Sequence, residues 1–328
     1  MTGEKTRAVL VTAHGGTEVL DVAPHSVHPP QAGQIQVRVA AAGVNFIDAY
    51  QRKGIYESEP PFVLGSEGAG QVIAVGDDVA GISVGDAVAW ASTPASQSGV
   101  VNALADHVVP VPDGVSLEVA AAVMLQGMTA HYLVWSTYLV QPGDTVLVHA
   151  AAGGVGHLLV QFAKSRGAIV IGTVSTAAKQ AKAEQAGADE VIRYDEVDDL
   201  AAEVRGRNGG RGVSVVYDGV GRATFDASLA SLVRRGMLVL YGASSGQVPP
   251  FDPQRLRSGG SLFLTRPLLG HYTATRDELL WRGGDVLTAV REGTLKVDIG
   301  GRYPIDDVRR AYDDLESRRT TGKLLIIP

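Results

Sequence analysis

The sequence predicts an α/β protein that contains two kinds of sheet, and three observations lead to that fold class. The first is a strand, a glycine-rich turn and a helix in succession over residues 144–166. The second is the alternation of strand and helix patterns from there onward, which predicts a doubly wound parallel sheet with helices on both faces. The third is a series of short strands separated by glycine turns in the first ~110 residues, which predicts a mainly antiparallel, barrel-like region.

Length, composition and charge limit the classes to which the chain can belong. A chain of 328 residues suggests two domains. A formal net charge of −6 disfavours a nucleic-acid binder, which needs a basic face. The sequence has no cysteine, which excludes disulfides and thiolate zinc sites. We see no signal peptide and no uninterrupted apolar run long enough to span a bilayer, so we expect a cytoplasmic protein without a membrane partner.

The predicted elements follow in chain order. Expected strands cover residues 8–11, 35–39, 68–75, 87–90, 105–111, 146–148, 168–174, 189–193, 213–217, 237–241 and 324–327. Expected helices lie within residues 117–135 and over residues 157–166, 177–185, 196–205, 223–233, 277–291 and 306–317. We expect the C-terminal part to return to the first region, because its closing strand needs a partner outside the parallel sheet.

The glycine-rich turn has the pattern of a dinucleotide-binding fingerprint, although one glycine is replaced. The motif G-x-G-x-x-G reads Ala151-x-Gly153-x-x-Gly156. Gly153 lets the backbone approach a pyrophosphate, and Gly156 lets the helix pack closely on the strand. The N–H groups at the start of the helix then face the anion. Such a turn also occurs as a plain connection, so the strand–helix alternation after it supports the nucleotide interpretation.

The residues after the second strand of this region favour NADPH over NADH. An NAD site has an acidic residue about 20 residues after the fingerprint, where it binds the ribose 2′-hydroxyl. Residues 173–176 contain no carboxylate, and Lys179 follows within one helical turn. Two charge-assisted hydrogen bonds of roughly 1.5–3 kcal/mol each would favour NADPH by at least about a hundredfold. The alternative is that Lys179 is a solvated helix residue.

Short motifs run in order along nearly the whole chain and are specific as a set, although each alone is only suggestive. They are Ala41–Tyr50, Leu64–Gly70, Val84–Val88, Gln126–Ala130, His149–Gly156, Tyr217–Gly221, Gly242–Gly246, Thr265–Pro267 and Glu316–Arg318. With them the chain resembles the zinc-free NADPH:quinone oxidoreductases related to zeta-crystallin, within the medium-chain dehydrogenase/reductase superfamily. The resemblance implies a GroES-like, mainly antiparallel β-barrel catalytic domain (1–126), a Rossmann NADPH-binding domain (127–265) and a return to the catalytic domain (266–328).

The resemblance also implies chemistry without a metal. Zinc-dependent members carry a cysteine ligand in place of Asn45, and Gly-His-Glu in place of Gly65-Ser66-Glu67; their four-cysteine zinc lobe is missing too. Without thiolate and imidazole ligands we expect no metal. Losing the Lewis acid disfavours alcohol oxidation and the reduction of plain ketones. Quinones and enones are easier acceptors, because their extra charge is delocalised and hydrogen bonds can stabilise it.

The family's cofactor contacts carry over to named positions. Asn45, Ile47 and Tyr50 would line the nicotinamide end, with Gln126 and Thr129 opposite. The residues implied at the pyrophosphate, the 2′-phosphate and the nicotinamide ribose are Gly153, Gly154, Val155, Gly156, Ser175, Lys179, Tyr194, Tyr241, Ser244, Ser245 and Arg318, the last with Arg319 beside it.

Tyr50 and Asn45 are the candidate catalytic residues. The Tyr50 phenol would donate to a substrate oxygen; alternatively it only packs against the nicotinamide, and water delivers the proton. For Asn45 the alternative is a structural bond between side chain and backbone. His149 and His157 lack the spacing of a metal pair on a helix, so we interpret both as packing or hydrogen-bonding residues.

The leading hypothesis is a zinc-independent enzyme that transfers reducing equivalents from NADPH to quinones. One alternative is an enone or 2-alkenal double-bond reductase on the same scaffold. Another is a non-catalytic NADPH-binding protein, crystallin-like or RNA-binding, although the negative charge makes nucleic acid an unlikely partner. Relatives are dimers through the parallel sheet, and pairing covers its open edges, so we expect a homodimer.

Overall fold

The structure is a computed structural model that describes residues 3–317 and 320–328. Its strands are β1 (Glu4–Val11), β2 (Leu20–Val27), β3 (Gln34–Val44), β4 (Phe62–Val63), β5 (Gly68–Val75), β6 (Ala87–Trp90), β7 (Val100–Leu104), β8 (Val109–Pro110), β9 (Thr145–Val148), β10 (Ile169–Val174), β11 (Glu190–Arg193), β12 (Val213–Asp218), β13 (Leu232–Leu240), β14 (Phe263–Thr265), β15 (Ile299–Pro304) and β16 (Lys323–Ile327). Its helices are α1 (Phe46–Arg52), α2 (Leu117–Tyr132), α3 (Gly154–Ser165), α4 (Ala177–Gln185), α5 (Leu200–Arg207), α6 (Phe225–Ser231), α7 (Gln254–Ser258), α8 (Leu269–Tyr272), α9 (Arg276–Arg291) and α10 (Val308–Glu316).

The chain divides into two compact units, one formed by Met1–Met128 and Thr273–Pro328 and the other by Thr129–Tyr272. The domain boundaries after residues 126 and 265 stay predictions. In the first unit, one sheet has the order β2-β1-β4 and a larger one the order β15-β16-β3-β5-β6-β8, with β7 also on β3. All pairs are antiparallel except β15 with β16. The expected antiparallel region is therefore present, while the pairings of the described residues form an open path rather than a closed barrel.

The C-terminal strand completes the sheet of the first unit. Residues 324–326 of β16 pair with residues 42–44 of β3, so the chain returns to its first region as the sequence predicted. Alternate residues of β3, such as Ile35, Val37 and Val39, belong to one buried apolar cluster. The alternating pattern of residues 35–39 indicated a half-buried strand; on the opposite face Arg38 is exposed as expected, whereas Gln36 is buried.

The second unit contains a parallel sheet with the order β11-β10-β9-β12-β13-β14. All its pairs are parallel, which confirms the predicted doubly wound fold. The chain order reverses between β9 and β12. Ligands of such sheets bind in the crevice outside the carboxyl ends of the strands at this reversal. A cofactor is therefore expected beside the residues that follow β9, β10, β12 and β13.

Several predicted boundaries were wrong for local reasons. The expected strand over 105–111 is interrupted by a 3₁₀ turn, Ala105–His107, because β7 pairs with β3 whereas β8 pairs with β6. Helix α5 begins at Leu200 rather than at residue 196, since the Asp199 carboxylate caps it by accepting from the Ala202 N–H at 3.0 Å. Helix α3 begins at Gly154, inside the glycine turn, and α6 ends at Ser231, where β13 starts.

One helical stretch of the described residues, Leu117–Thr137, is long and apolar enough to cross a membrane by length and composition alone. The stretch is interrupted by polar residues, among them Glu118, Gln126 and His131, so it is not the uninterrupted apolar run whose absence the sequence indicated. Of its most apolar 18 residues, 72% are buried inside the protein, as in a core helix. Burial agrees with the prediction of buried helices within residues 117–135.

Candidate active site

The glycine turn after β9 brings the backbone of α3 close to the strand end. Gly153 caps the helix, and its N–H donates to the Ala150 carbonyl at 2.8 Å. A Cβ on Gly156 would overlap that same carbonyl oxygen. Only glycine at 156 therefore allows the close approach, which confirms the predicted packing role. The first N–H groups of α3, those of Gly154, Val155 and Gly156, have no acceptor within the helix.

The residues predicted to bind the 2′-phosphate meet at the ends of β10 and β11. Ser175 follows β10, and the Lys179 Nζ donates to the Ser175 Oγ at 3.3 Å. Thr176 caps α4, accepting from the Lys179 N–H at 3.3 Å. Tyr194 follows β11, and its N–H donates to the Val174 carbonyl at 3.1 Å. Ser175 and Lys179 are thus in contact, and Tyr194 is joined through its backbone to the residue before Ser175. Their binding of a 2′-phosphate stays a prediction.

The loops after β12 and β13 are joined by hydrogen bonds. The Tyr241 N–H donates to the Asp218 carbonyl at 2.9 Å, and the Ser244 N–H donates to the Gly219 carbonyl at 3.2 Å. The Ser245 hydroxyl donates to the Val220 carbonyl at 2.8 Å. Burial raises the pKa of Tyr241, and the nearby Asp218 adds to the shift, so its phenol stays protonated. The three predicted residues of this region lie on one loop.

A buried polar network that the sequence analysis did not foresee ties these strand ends together. The His149 Nδ1 lies 2.9 Å from the Thr173 hydroxyl, and its Nε2 lies 3.0 Å from the Ser228 hydroxyl. Ser228 donates to the Asp218 Oδ2 at 2.8 Å, so it accepts from an N–H at Nε2. Burial lowers the pKa of His149, which keeps the ring neutral. The prediction of a hydrogen-bonding histidine is confirmed.

Asp218 shapes the turn after β12. Its Oδ1 accepts from the N–H groups of Val220 and Gly221 at 2.8 and 3.0 Å. Its Oδ2 also accepts from the Thr224 hydroxyl at 2.7 Å. The motif Tyr217–Gly221 contained this carboxylate, but a sequence alone does not reveal which backbone groups it binds.

The predicted nicotinamide-facing residues lie on α1 and α2, apart from Asn45, which precedes α1; Thr129 is the first residue of the second unit. Ile47 and Tyr50 are half-buried on α1, and the Tyr50 ring packs edge-on against Tyr56 at 5.4 Å between centroids. Gln126 and Thr129 lie three residues apart on α2, so they share a face of that helix. Arg318 lies outside the described residues.

Asn45 precedes α1 and belongs to a buried cluster with Glu67 and Lys323. The Asn45 Nδ2 donates to the Glu67 Oε2 at 2.9 Å, and the Lys323 Nζ donates to the same oxygen at 2.5 Å and to the Asn45 Oδ1 at 2.6 Å. The other Glu67 oxygen accepts from the Leu125 N–H at 2.6 Å. The side chain of Asn45 thus binds two side chains, and it also forms a capping box with the backbone of Asp48, so the structural bond to backbone that the sequence left as an alternative is present as well.

Asp48, in the first turn of α1, is a second buried carboxylate beside this cluster. It accepts from the Asn45 N–H at 3.0 Å, the Tyr312 hydroxyl at 3.2 Å and the Ser66 hydroxyl at 3.2 Å. Burial raises the pKa of Asp48 from 3.8 to about 7, although Lys323 opposes the shift. Sequence reasoning missed Asp48 and Lys323. Two sequence features could have indicated them: Asp48 is an acidic residue within an otherwise apolar motif, and Lys323 is the first residue of an apolar strand.

No group of three or more His, Cys, Asp or Glu side chains within residues 3–317 and 320–328 is arranged to hold a metal ion. At the positions of the zinc ligands of relatives, Asn45 and Glu67 bind Lys323, and Ser66 binds Asp48. An ammonium group therefore supplies positive charge at Glu67.

Comparisons with known proteins agree with this architecture. The family of alcohol dehydrogenase GroES-like domains matches residues 31–145, and the family of zinc-binding dehydrogenases matches residues 154–274. Quinone oxidoreductase 1 of Escherichia coli strain K12 is 44% identical over 319 residues, covering 96% of this chain and 97% of that protein. A 2-haloacrylate reductase of Burkholderia sp. is 38% identical over 331 residues, covering 98% of each.

A solved structure gives the same result in three dimensions. The crystal structure of E. coli quinone oxidoreductase complexed with NADPH superposes with a TM-score of 0.96 at 43% identity, covering 98% of this chain and 100% of that one. Identity at this level over nearly the full length of both chains shows common family membership. The chain belongs to the quinone oxidoreductases of the medium-chain dehydrogenase/reductase superfamily, as its motifs predicted.

Proposed function

We propose that this protein is a zinc-independent oxidoreductase that reduces quinones with NADPH. The observation that carries the proposal is the pairing of Lys179 with Ser175 after β10, where an NAD site has an acidic residue. Similarity to a quinone oxidoreductase and to a relative solved with NADPH supports the acceptor class and the cofactor.

The residues of the second unit fit a phosphorylated dinucleotide. A Cβ on Gly153 would lie 3.1 Å from the Ala150 carbonyl oxygen, so the glycine keeps a surface that a side chain would fill. The N–H groups at the start of α3 suit a pyrophosphate. Ser175, Lys179 and Tyr194 would bind the 2′-phosphate by one cation and two hydroxyl groups. Tyr241, Ser244 and Ser245 would border the nicotinamide ribose. For Arg318, the resemblance to the family implies a further cofactor contact.

Residues of α1 and α2, together with Asn45, would supply the acceptor side. NADPH, when bound, supplies the hydride. Asn45, Ile47 and Tyr50, with Gln126 and Thr129, would orient the nicotinamide and exclude water. The Tyr50 phenol would hold a proton for the acceptor oxygen. Because quinones delocalise the added charge, such hydrogen bonds can replace a Lewis acid.

The test is a steady-state comparison of NADPH with NADH, using 1,4-benzoquinone and 9,10-phenanthrenequinone, with and without a chelator. We expect kcat/KM to be at least about a hundredfold higher with NADPH, following the two charge-assisted bonds, and unaffected by chelator. A chelator-sensitive activity that zinc restores would contradict the proposal, as would a preference for NADH.

A second candidate is reduction of a conjugated double bond, which the similarity to a 2-haloacrylate reductase favours. Measuring kcat/KM for a benzoquinone series against conjugated enals and a 2-haloacrylate decides between the two acceptor classes. If no quinone or enone is reduced, a non-catalytic NADPH-binding role is favoured.

We also propose that the protein is a homodimer. Strand β14 lies at one end of the six-stranded sheet and carries Phe263, whose side chain is 56% exposed. A second copy paired there would cover both the apolar ring and the unpaired backbone of the edge. Size-exclusion chromatography with light scattering tests this, and a monomer at micromolar concentration would contradict it.

A further inference from the structure

Three side chains from three separate elements form a closed, buried cluster in the first unit. Asn45 precedes α1, Glu67 precedes β5, and Lys323 begins β16, with exposed fractions of 3%, 0% and 2%. Each of the three contacts the other two, at 2.5–2.9 Å between nitrogen and oxygen atoms. The backbone leaves room for them, because a Cβ on Gly43 would overlap the Glu67 carboxylate.

The bonds of Lys323 determine the orientation of the Asn45 amide. An ammonium group only donates, so the atom of Asn45 that it contacts is the oxygen. The amide nitrogen then points to Glu67, which accepts from it. Without the ammonium group, Glu67 would be an uncompensated buried charge and Asn45 would lose one of its two side-chain partners.

The cluster also connects to the beginning of α1. The Asn45 N–H donates to Asp48, which accepts in addition from Ser66 and Tyr312. Side chains from the segment before β5, from α10 and from β16 therefore converge on the first turn of α1 and the residue before it. This is the helix that carries Ile47 and Tyr50.

We infer that Lys323 is a positioning residue of the active site, a built-in cation that holds Asn45 and the first turn of α1 in place. The inference rests on the proposed function, because Asn45, Ile47 and Tyr50 are the residues proposed to face the nicotinamide. Lys323 acts through Asn45 and Glu67. A small displacement of such groups lowers a hydride-transfer rate without weakening the binding of the dinucleotide phosphates elsewhere in the chain.

The test compares Lys323→Met, which keeps the apolar stem and removes the charge, with Lys5→Met, a matched change at an exposed lysine of β1. NADPH binding is titrated first, giving the Kd and the number of competent sites, and kcat with 1,4-benzoquinone is expressed per site. For Lys323→Met we expect kcat per site to fall at least about tenfold, while the NADPH Kd changes by less than about threefold. A kcat per site equal to that of Lys5→Met would overturn the inference, because a purely structural role changes only the number of folded sites.

A second variant covers the case in which Lys323→Met does not fold. Lys323→Met with Glu67→Gln removes both charges, so it leaves no uncompensated ion and is expected to fold. It still lacks the donor that fixes the Asn45 oxygen, so we expect its kcat per site to stay at least about tenfold below wild type. Wild-type kcat per site in this double variant would overturn the inference. Should the wild type itself reduce no quinone, the proposed function fails and the inference fails with it.

Discussion

Ala151 and Gly172 face each other at the start of the glycine turn. A Cβ on Gly172 would lie 2.8 Å from the Ala151 Cβ, and Ala151 is fully buried. Ala151 stands where the fingerprint has its first glycine, so its methyl group needs space. The neighbouring strand β10 provides that space because it carries no side chain at 172. The departure from the fingerprint is thus accommodated by a second glycine.

Gly172→Ala should therefore lower the free energy of unfolding by about 1–3 kcal/mol, the usual cost of overpacking a core. Adding Ala151→Gly to this variant removes the opposing methyl group and should recover most of the loss. Urea unfolding of the wild type, both single variants and the double variant measures the coupling. If the double variant is no more stable than Gly172→Ala alone, the two residues do not share this space.

Lys179→Ala tests the proposed recognition of the 2′-phosphate. Removing one charge-assisted bond of roughly 1.5–3 kcal/mol should lower the ratio of kcat/KM for NADPH to that for NADH by about ten- to a hundredfold. Lys182→Ala, at a position one turn further along α4, is the matched control and should leave the ratio unchanged. An equal effect of both variants would show that Lys179 contributes only general positive charge.

The sequence predicted the parallel sheet and the residues at its strand ends because these depend on local order: a strand, a turn, a helix, repeated. Ser175 and Lys179 could be singled out from that order, since they follow a strand at its carboxyl end, whereas Tyr194 came only from the resemblance to the family. The contacts of Lys323 and Glu67 could not be predicted from local order, because they join residues far apart in the chain. Such contacts depend on how β16 and β3 pair, which no local pattern specifies.

Asp48→Asn should change the pH dependence of stability. The pKa of Asp48 is raised by burial from 3.8 to about 7, so between these values the native protein holds a proton that the unfolded chain has released. This contribution to stability is complete below the unfolded pKa and is lost as the pH rises through the native one. Asparagine cannot titrate. With rising pH, the free energy of unfolding of the wild type should therefore fall more steeply than that of Asp48→Asn, by up to about 1.4 kcal/mol per pH unit.

Urea unfolding at pH values between roughly 5 and 8 measures both slopes. The buried His149 has a lowered pKa and contributes a slope of opposite sign, since its unfolded form takes up a proton below neutral pH. The His149 contribution is the same in the wild type and in Asp48→Asn, so it cancels when the two slopes are subtracted. Parallel curves for the wild type and Asp48→Asn would mean that Asp48 is ionised in the native state throughout this range.

Tyr50→Phe separates the hydroxyl group from the ring. The edge-on contact with Tyr56 at 5.4 Å involves the ring alone, so phenylalanine keeps it and α1 should remain folded. If the phenol holds the proton for the acceptor oxygen, kcat/KM for 1,4-benzoquinone should fall at least about a hundredfold, the lower end of general acid–base effects. NADPH binding should not change. Tyr56→Phe is the matched control. An unchanged kcat/KM for Tyr50→Phe would rule out a required proton-transfer role, leaving Tyr50 as a packing residue and water as the proton source.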